Sequence, residues 1–142
     1  LLFAGGFTNP TESGREIISI FNPYNTGTVT ANYRLRFHFV DGTSDEIIIP
    51  PGGTGSLEQN RRLDIAVRDL PEVMARISSD AKFRSYSITL SATLLIGGRE
   101  EDGAVFASLT RIDPDNGTIS FGPTLRAGTT LFFADNTAFG PP

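Results

Sequence analysis

Histidine, cysteine and clustered carboxylates are the residue types from which a catalytic or metal site is usually built, and this chain offers few of them. It has one histidine, His38, and no cysteine. His38 lies in an alternating stretch with Arg34 and Arg36, and no G-x-S-x-G nucleophile motif occurs anywhere in the sequence. This pattern predicts a surface histidine rather than a general base. Zinc sites built from His and Cys are excluded by the residue count.

Two acidic clusters remain as places for a metal ion. Glu100, Glu101 and Asp102 stand in "REEDG", and Asp113 and Asp115 stand in "DPDNG". The second cluster lacks the full spacing of a calcium loop, and we interpret both as solvated turns. No acid is expected on a strand among aromatic residues, so a glycosidase pair of carboxylates is not indicated. The sequence therefore predicts no cofactor, no metal and no enzymatic activity.

Charge and apolar run length bear on the partners and the compartment. The chain carries 12 basic and 16 acidic residues, a net charge of -4 at pH 7. A nucleic-acid partner is not expected, because phosphate binding needs clustered cations. Apolar runs such as "LLFA" and "LLI" are far shorter than the roughly 20 residues of a membrane helix, so we expect no membrane span. A chain that begins at Leu1 fits removal of an export signal, and we expect an extracellular or cell-surface location.

Alternation of apolar and polar residues dominates the chain. The stretches "TVTANYRLRFHFV" (residues 28–40) and "RSYSITLSATLLI" (residues 84–96) have a period of two, which predicts strands with one buried face. Shorter strands are predicted at residues 2–7, 16–22, 46–49, 56–59, 104–111, 118–121 and 130–134. Turn motifs rich in Gly, Asn and Pro separate them. We predict a single domain over residues 1–142, an all-β, antiparallel two-sheet β-sandwich of immunoglobulin-like or jelly-roll-like type.

One hairpin can be predicted to the level of register. A three-residue loop over residues 40–42, ending in a left-handed glycine, places Leu35 opposite Ile47 and Arg36 opposite Glu46. Apolar residues then meet apolar ones, and a charge meets its countercharge. A two-residue loop would set a carboxylate opposite an aromatic ring, so the pattern favours the longer loop.

Residues 60–80 break the strand pattern. Their apolar positions recur at intervals of three and four, and Pro71 interrupts the series. With Asp69 as N-cap and Pro71 in the first turn, a short helix is predicted near residues 71–78. Residues 61–68 form either another helical turn or a strand edge. We expect this excursion to cross from one sheet to the other.

A family resemblance rests on residues 16–60, "EIISIFNPYNTGTVTANYRLRFHFVDGTSDEIIIPPGGTGSLEQN". The order of strands and of the turns "NP", "DGT" and "IPPGG" resembles immunoglobulin-like β-sandwich modules of bacterial secreted and cell-surface proteins, many of unassigned function. The later "GAVFASL" is similar to the closing strand of such modules. The resemblance implies a non-enzymatic extracellular module and carries over no site residues.

The uncharged N-terminal stretch predicts how such a module acts. No charge occurs before Glu12, so this stretch does nothing to protect a sheet edge. We expect residues 1–8 to form an edge strand or one exchanged between subunits, making the protein its own partner in a surface filament or array. Gly5 and Gly6 indicate a bend or a close backbone approach. The predicted assembly residues are Leu1, Leu2, Phe3, Ala4 and Phe7.

A binding module is the alternative interpretation. An adhesive protein that recognises a glycan, a peptide or another surface ligand would use loops and exposed side chains for recognition. Tyr24 lies in a predicted turn, and Arg34, Arg36 and His38 form an outward stripe on one strand. These four residues are the candidates for such recognition. With Asp45 and Glu46 on the neighbouring strand, the stripe is more simply interpreted as an outward cross-strand charge ladder.

Overall fold

The structure is a computed structural model that describes residues 1–22, 30–49, 62–103, 106–115, 118–122 and 124–125. In this part of the chain there are ten strands and one α-helix. They are β1 (Leu2–Phe7), β2 (Arg15–Phe21), β3 (Thr30–Phe39), β4 (Ser44–Ile49), β5 (Arg62–Ala66), α1 (Pro71–Ser79), β6 (Ser85–Ile96), β7 (Arg99–Gly103), β8 (Phe106–Asp113), β9 (Thr118–Gly122) and β10 (Thr124–Leu125). The strands predicted at residues 56–59 and 130–134 lie outside the described residues.

The strands form two antiparallel sheets that face each other across one apolar core. Sheet A has the order β10-β1-β6-β3-β4, with β7 also paired to β6, and sheet B has the order β5-β2-β8-β9. The predicted all-β, two-sheet sandwich with one short helix is confirmed. The helix follows β5 of sheet B and precedes β6 of sheet A, so the chain crosses between the sheets here, as expected.

Strand β3 lies between β6 and β4 in sheet A, and its burial pattern explains why the alternation of apolar and polar residues predicted a strand here. Tyr33, Leu35 and Phe37 are buried in the core, whereas Arg34 and Arg36 between them are exposed. Successive side chains of a strand point to opposite faces, so a period of two separates core from solvent. β3 pairs with β6 along its whole length, and the outward side chains of β6 are mainly Ser and Thr.

The β3–β4 hairpin has the predicted register. Leu35 pairs with Ile47 and Arg36 pairs with Glu46. Gly42 has φ of 82°, which is left-handed backbone that a glycine adopts without a steric penalty. The three-residue loop over residues 40–42 is therefore confirmed.

Strand β7 corrects the prediction that "REEDG" is a turn. Arg99–Gly103 is a strand paired with β6, and the turn before it consists of Gly97 and Gly98, with φ of 57° and 80°. Two left-handed residues make a hairpin turn whose twist matches that of the flanking strands. The acidic residues that follow are therefore held in the sheet.

The helical excursion agrees with the prediction in one respect and differs in another. Residues 62–66 are strand β5 at one end of sheet B, which is the strand-edge alternative, and Val67–Asp69 forms a short 3-10 turn. Leu70, rather than Asp69, is the N-cap of α1, with extended backbone and no side-chain capping bond. The physical reason is Pro71, because proline disfavours helical backbone in the residue before it.

An inward-pointing charge fixes the helix to the edge of sheet A. Asp45 was expected in the outward charge stripe, but it accepts two hydrogen bonds from Arg76 of α1, both at 2.8 Å. The Arg76 guanidinium also lies 5.1 Å from the centroid of the Phe39 ring and 5.5 Å from that of Phe83. A two-point ion pair over two aromatic rings holds α1 against β4.

We expect Asp45→Asn to lower the melting temperature, because Arg76 then loses its carboxylate partner while remaining over the aromatic rings. Asp64→Asn is the matched control, since Asp64 forms an exposed pair with Arg62, and exposed pairs contribute little to stability. Thermal unfolding by circular dichroism measures both variants. Equal melting temperatures would show that the partly buried pair does not anchor the helix.

Candidate assembly strand and its buried anchor

Strand β1 lies inside sheet A, between β6 and β10. Its pairs with β6 run from Leu2 opposite Thr89 to Phe7 opposite Ser85. Its pairs with β10, within the described residues, are two, at Leu2 and Phe3. In this structure of a single chain, β1 thus completes its own sheet.

The predicted assembly residues differ in how deeply they are buried. Phe3 is 0% exposed and belongs to the core cluster, and Leu1 packs against that cluster. Leu2 and Phe7 are partly buried, and the side chain of Ala4 is outside the described part of the structure. Phe3 is therefore the residue of β1 that is most deeply buried in the core.

The two short strands β1 and β7 pair with the same hydrogen-bonding edge of β6. Leu1 and Leu90 exchange both backbone hydrogen bonds, at 3.0 and 2.9 Å, so β1 pairing reaches the first residue. β7 pairs with the other half of β6, from Ala92 to Ile96. Because β3 occupies the opposite side of β6, β1 and β7 lie end to end along the remaining side.

The glycine pair in β1 makes the close approach that the sequence indicated. The register of β1 against β6 shifts between Phe3 and Gly6. A Cβ atom on Gly6 would lie 2.2 Å from Cε2 of Tyr86, whereas a Cβ on Gly5 would meet nothing within 4 Å. Only a residue without a side chain fits between the β1 backbone and this ring.

We expect Gly6→Ala to destabilise the fold by about 1–3 kcal/mol, because the added methyl group overlaps a buried ring that cannot turn away. Gly5→Ala is the matched control and is expected to leave stability nearly unchanged. Denaturant unfolding of both variants gives the two free energies. A Gly6→Ala protein as stable as Gly5→Ala would contradict the close packing of Tyr86.

A buried polar network joins β1 to both sheets. Glu16 of β2 is 3% exposed. Its Oε1 accepts a 2.7 Å hydrogen bond from the Phe7 backbone N–H, and its Oε2 accepts a hydrogen bond from the Tyr86 hydroxyl. The Tyr86 hydroxyl also lies 2.7 Å from Oγ1 of Thr8. One carboxyl group therefore contacts the end of β1 and the start of β6 from the opposite sheet.

Burial and the neighbouring polar groups shift the pKa of Glu16 in opposite directions. Burial raises the pKa of Glu16, while the hydrogen bonds from Tyr86 and Phe7 and the positive charge of Arg111 act to lower it. Arg111 is the cross-strand partner of Glu16, and its guanidinium lies 5.0 Å from the centroid of the Phe7 ring. Burial, followed by the nearby Glu16 charge, raises the pKa of Tyr86 far above its ordinary value. Tyr86 is therefore a neutral hydroxyl that donates and accepts.

Glu16 shows that one sequence interpretation was wrong. We expected no acid on a strand among aromatic residues, yet Glu16 lies on β2 beside Tyr86. The signal was present in "REIISIF", where Glu16 is in phase with Ile18 and Ile20, both of which are 0% exposed. An acid that keeps the phase of the core positions is a candidate for a buried, hydrogen-bonded group.

We expect Glu16→Gln to change the pH dependence of stability in one direction. The folded-state pKa of Glu16 is raised above the ordinary value of 4.5, so its folded state binds a proton more readily than its unfolded state. The wild-type free energy of unfolding, relative to Glu16→Gln, is therefore highest below 4.5 and falls as pH rises through the folded pKa. Urea unfolding at several pH values measures this difference. A difference that stays constant across the range would contradict the raised pKa.

The predicted recognition stripe is bound to neighbouring side chains. Arg34 and Arg36 both form ion pairs with Glu46, at 3.2 and 2.7 Å. These pairs lower the pKa of Glu46, with the Arg36 hydrogen bond as the largest cause. Nε2 of His38 lies 2.8 Å from Oγ1 of Thr89. The expected cross-strand charge ladder is thus present through Glu46, whereas Asp45 pairs with Arg76 instead.

Other predicted site features can be placed more briefly. Tyr24 lies outside the described residues. Among the residues that the structure describes, no group of three or more His, Cys, Asp or Glu residues is arranged to hold a metal ion. No helix in the described ranges has the length and apolar character needed to cross a membrane.

No family model matches the chain, and neither a curated protein nor a solved structure matches it. The resemblance to immunoglobulin-like surface modules therefore remains a prediction.

Proposed function

We propose that this protein is a non-enzymatic, extracellular structural subunit that assembles with copies of itself through exchange of β1. The observation that carries the proposal is the mismatch between burial and pairing in this strand. Phe3 of β1 is fully buried, yet the register of β1 against β6 shifts between Phe3 and Gly6. A strand that fills a core but pairs irregularly with its neighbour is suited to complementation between subunits.

The outer edges of the sheets support β1 as the place of exchange. In the described part of the chain, sheet A ends at β4, which carries Asp45 and Glu46, and sheet B has β5 at one end, which carries Arg62 and Asp64. Charged side chains on an edge strand oppose pairing with another chain. By contrast, β1 contains no charged residue, and neither do the outer strands β10, its neighbour in sheet A, and β9 of sheet B.

Exchange would preserve every contact that β1 makes. The pocket for Phe3 and the pairing partners on β6 are the same in each copy, so a β1 strand from a second chain fits them equally well. Residues 8–14 would act as the hinge, and when extended they span roughly 25 Å. Each copy then gives one strand and receives one, and an exchange that does not close on itself builds an open chain.

Two further observations support the extracellular location and the non-enzymatic class of the protein. The resemblance to modules of bacterial secreted and surface proteins supports an extracellular position. The two oxygens of the buried Glu16 carboxyl accept hydrogen bonds from protein donors, which supports a structural role for this group rather than a catalytic one.

A cysteine trap tests exchange directly, because the chain contains no cysteine of its own. Leu1 and Leu90 form a hydrogen-bonded pair, so the adjacent Leu2 and Thr89 form a closer pair, with Cα atoms about 4.5 Å apart and within disulfide range. Leu2→Cys and Thr89→Cys proteins are refolded together and oxidised. We expect a disulfide-linked heterodimer on a non-reducing gel, since each chain has one cysteine.

Thr93→Cys is the matched control for this trap. Thr93 faces the same side of β6 but lies four residues, about 13 Å, from Thr89. Leu2→Cys mixed with Thr93→Cys is expected to give no heterodimer. If Leu2→Cys and Thr89→Cys also give none, while a protein with both substitutions forms its internal disulfide, β1 stays in its own chain and the proposal fails.

A further inference from the structure

We infer that Glu16 is the latch that keeps β1 in its own sheet, through the hydrogen bonds that its buried carboxyl receives from Phe7 and Tyr86. This inference rests on the proposed exchange of β1 and concerns its regulation. In outline, the carboxyl holds the strand closed, and loss of its contacts releases the strand to a second copy.

The latch acts at the end of β1 that must open first. Phe7 is the last residue of β1 and adjoins the hinge at residues 8–14. Its N–H is bound by Glu16, and the next N–H, that of Thr8, donates to the Arg84 carbonyl at 2.9 Å. A strand that exchanges about this hinge must break both bonds, and the Glu16 bond is the one made across to the opposite sheet.

The groups that face Glu16 come from three other strands. In the described residues, these are the Phe7 N–H from β1, the Tyr86 hydroxyl from β6 and the Arg111 guanidinium from β8. The ionised carboxylate accepts both hydrogen bonds but carries a charge out of water. Opening β1 returns that charge to solvent, so opening becomes easier once Glu16 is ionised.

The protonated carboxyl can keep the same network without a charge. Its O–H donates to the Tyr86 hydroxyl, which in turn donates to Thr8 Oγ1, and the other carboxyl oxygen still accepts from Phe7. The closed strand therefore binds a proton more tightly than the open one. By linkage, opening of β1 increases as pH rises above the ordinary carboxyl range and levels off above the closed-state pKa.

Residue-resolved amide exchange on the full-length protein tests the latch. Glu16→Ala is expected to lower the protection of β1 amides about tenfold or more, since both hydrogen bonds of the carboxyl, to Phe7 and to Tyr86, are lost. Protection at Leu35 and Phe37 of β3 should change far less. Glu16→Gln keeps an acceptor for Phe7 and a donor for Tyr86, so it should restore protection of β1. Glu12→Ala, at an exposed acid in the hinge, is the control and should behave as wild type.

Amide exchange measured at several pH values distinguishes a latch from a residue with only a structural role. After correction for intrinsic exchange rates, β1 protection in the wild type should fall with rising pH, whereas Glu16→Gln should show no such dependence. Equal loss of protection in β1 and β3 on Glu16→Ala, or the same pH dependence in Glu16→Gln, would overturn the latch.

The cysteine trap then distinguishes the latch from the assembly on which it rests. Added to the Leu2→Cys and Thr89→Cys pair, Glu16→Ala should increase the rate of heterodimer formation in native buffer about tenfold. Selective opening of β1 without any heterodimer would support the latch and overturn the proposed assembly. Heterodimer formation that Glu16→Ala does not accelerate would support the assembly and overturn the latch.

Discussion

The position of Tyr86 is the constraint on which the described structure depends. Its ring packs on the backbone of Gly6 and stands edge-on to Phe37, with centroids 5.3 Å apart, while its hydroxyl contacts Glu16. One side chain thereby touches β1, β3 and β2, and so connects the two sheets. Because the ring is enclosed on these sides, the irregular path of β1 at its glycine pair is a consequence of the packing rather than a defect.

As a result of this packing, β1 is firmly anchored by its side chains but irregularly paired through its backbone. Through Phe3 the strand is necessary to the core, and through Glu16 its end is attached to the opposite sheet. Its backbone pairing with β6 nevertheless shifts in register between Phe3 and Gly6. The longest described pairings, between β3 and β6 and between β2 and β8, do not involve β1.

The sequence predictions were most accurate where the interacting residues are close together in the chain. The β3–β4 hairpin was predicted to its register because its turn, its charges and its apolar pairs lie within twenty residues of one another. The acids of "REEDG" were misjudged because the preceding glycines make the turn. Asp45 was assigned to the outward charge ladder although the predicted register pairs it with the buried Phe37, and its partner Arg76 lies 31 residues away.

Glu16 separates what sequence alone determined from what tertiary structure decided. Alternation in "REIISIF" assigns Glu16 to the core face of its strand, because successive side chains point to opposite sides. That pattern does not indicate which strand packs against Glu16 from the other sheet. Its partner Tyr86 is 70 residues further along the chain. The sequence by itself thus determined the long alternating strands, their buried faces and the local hairpin. The order of the strands, the buried network and the neighbours of β1 were decided by long-range packing, because contacts between distant segments leave no local period.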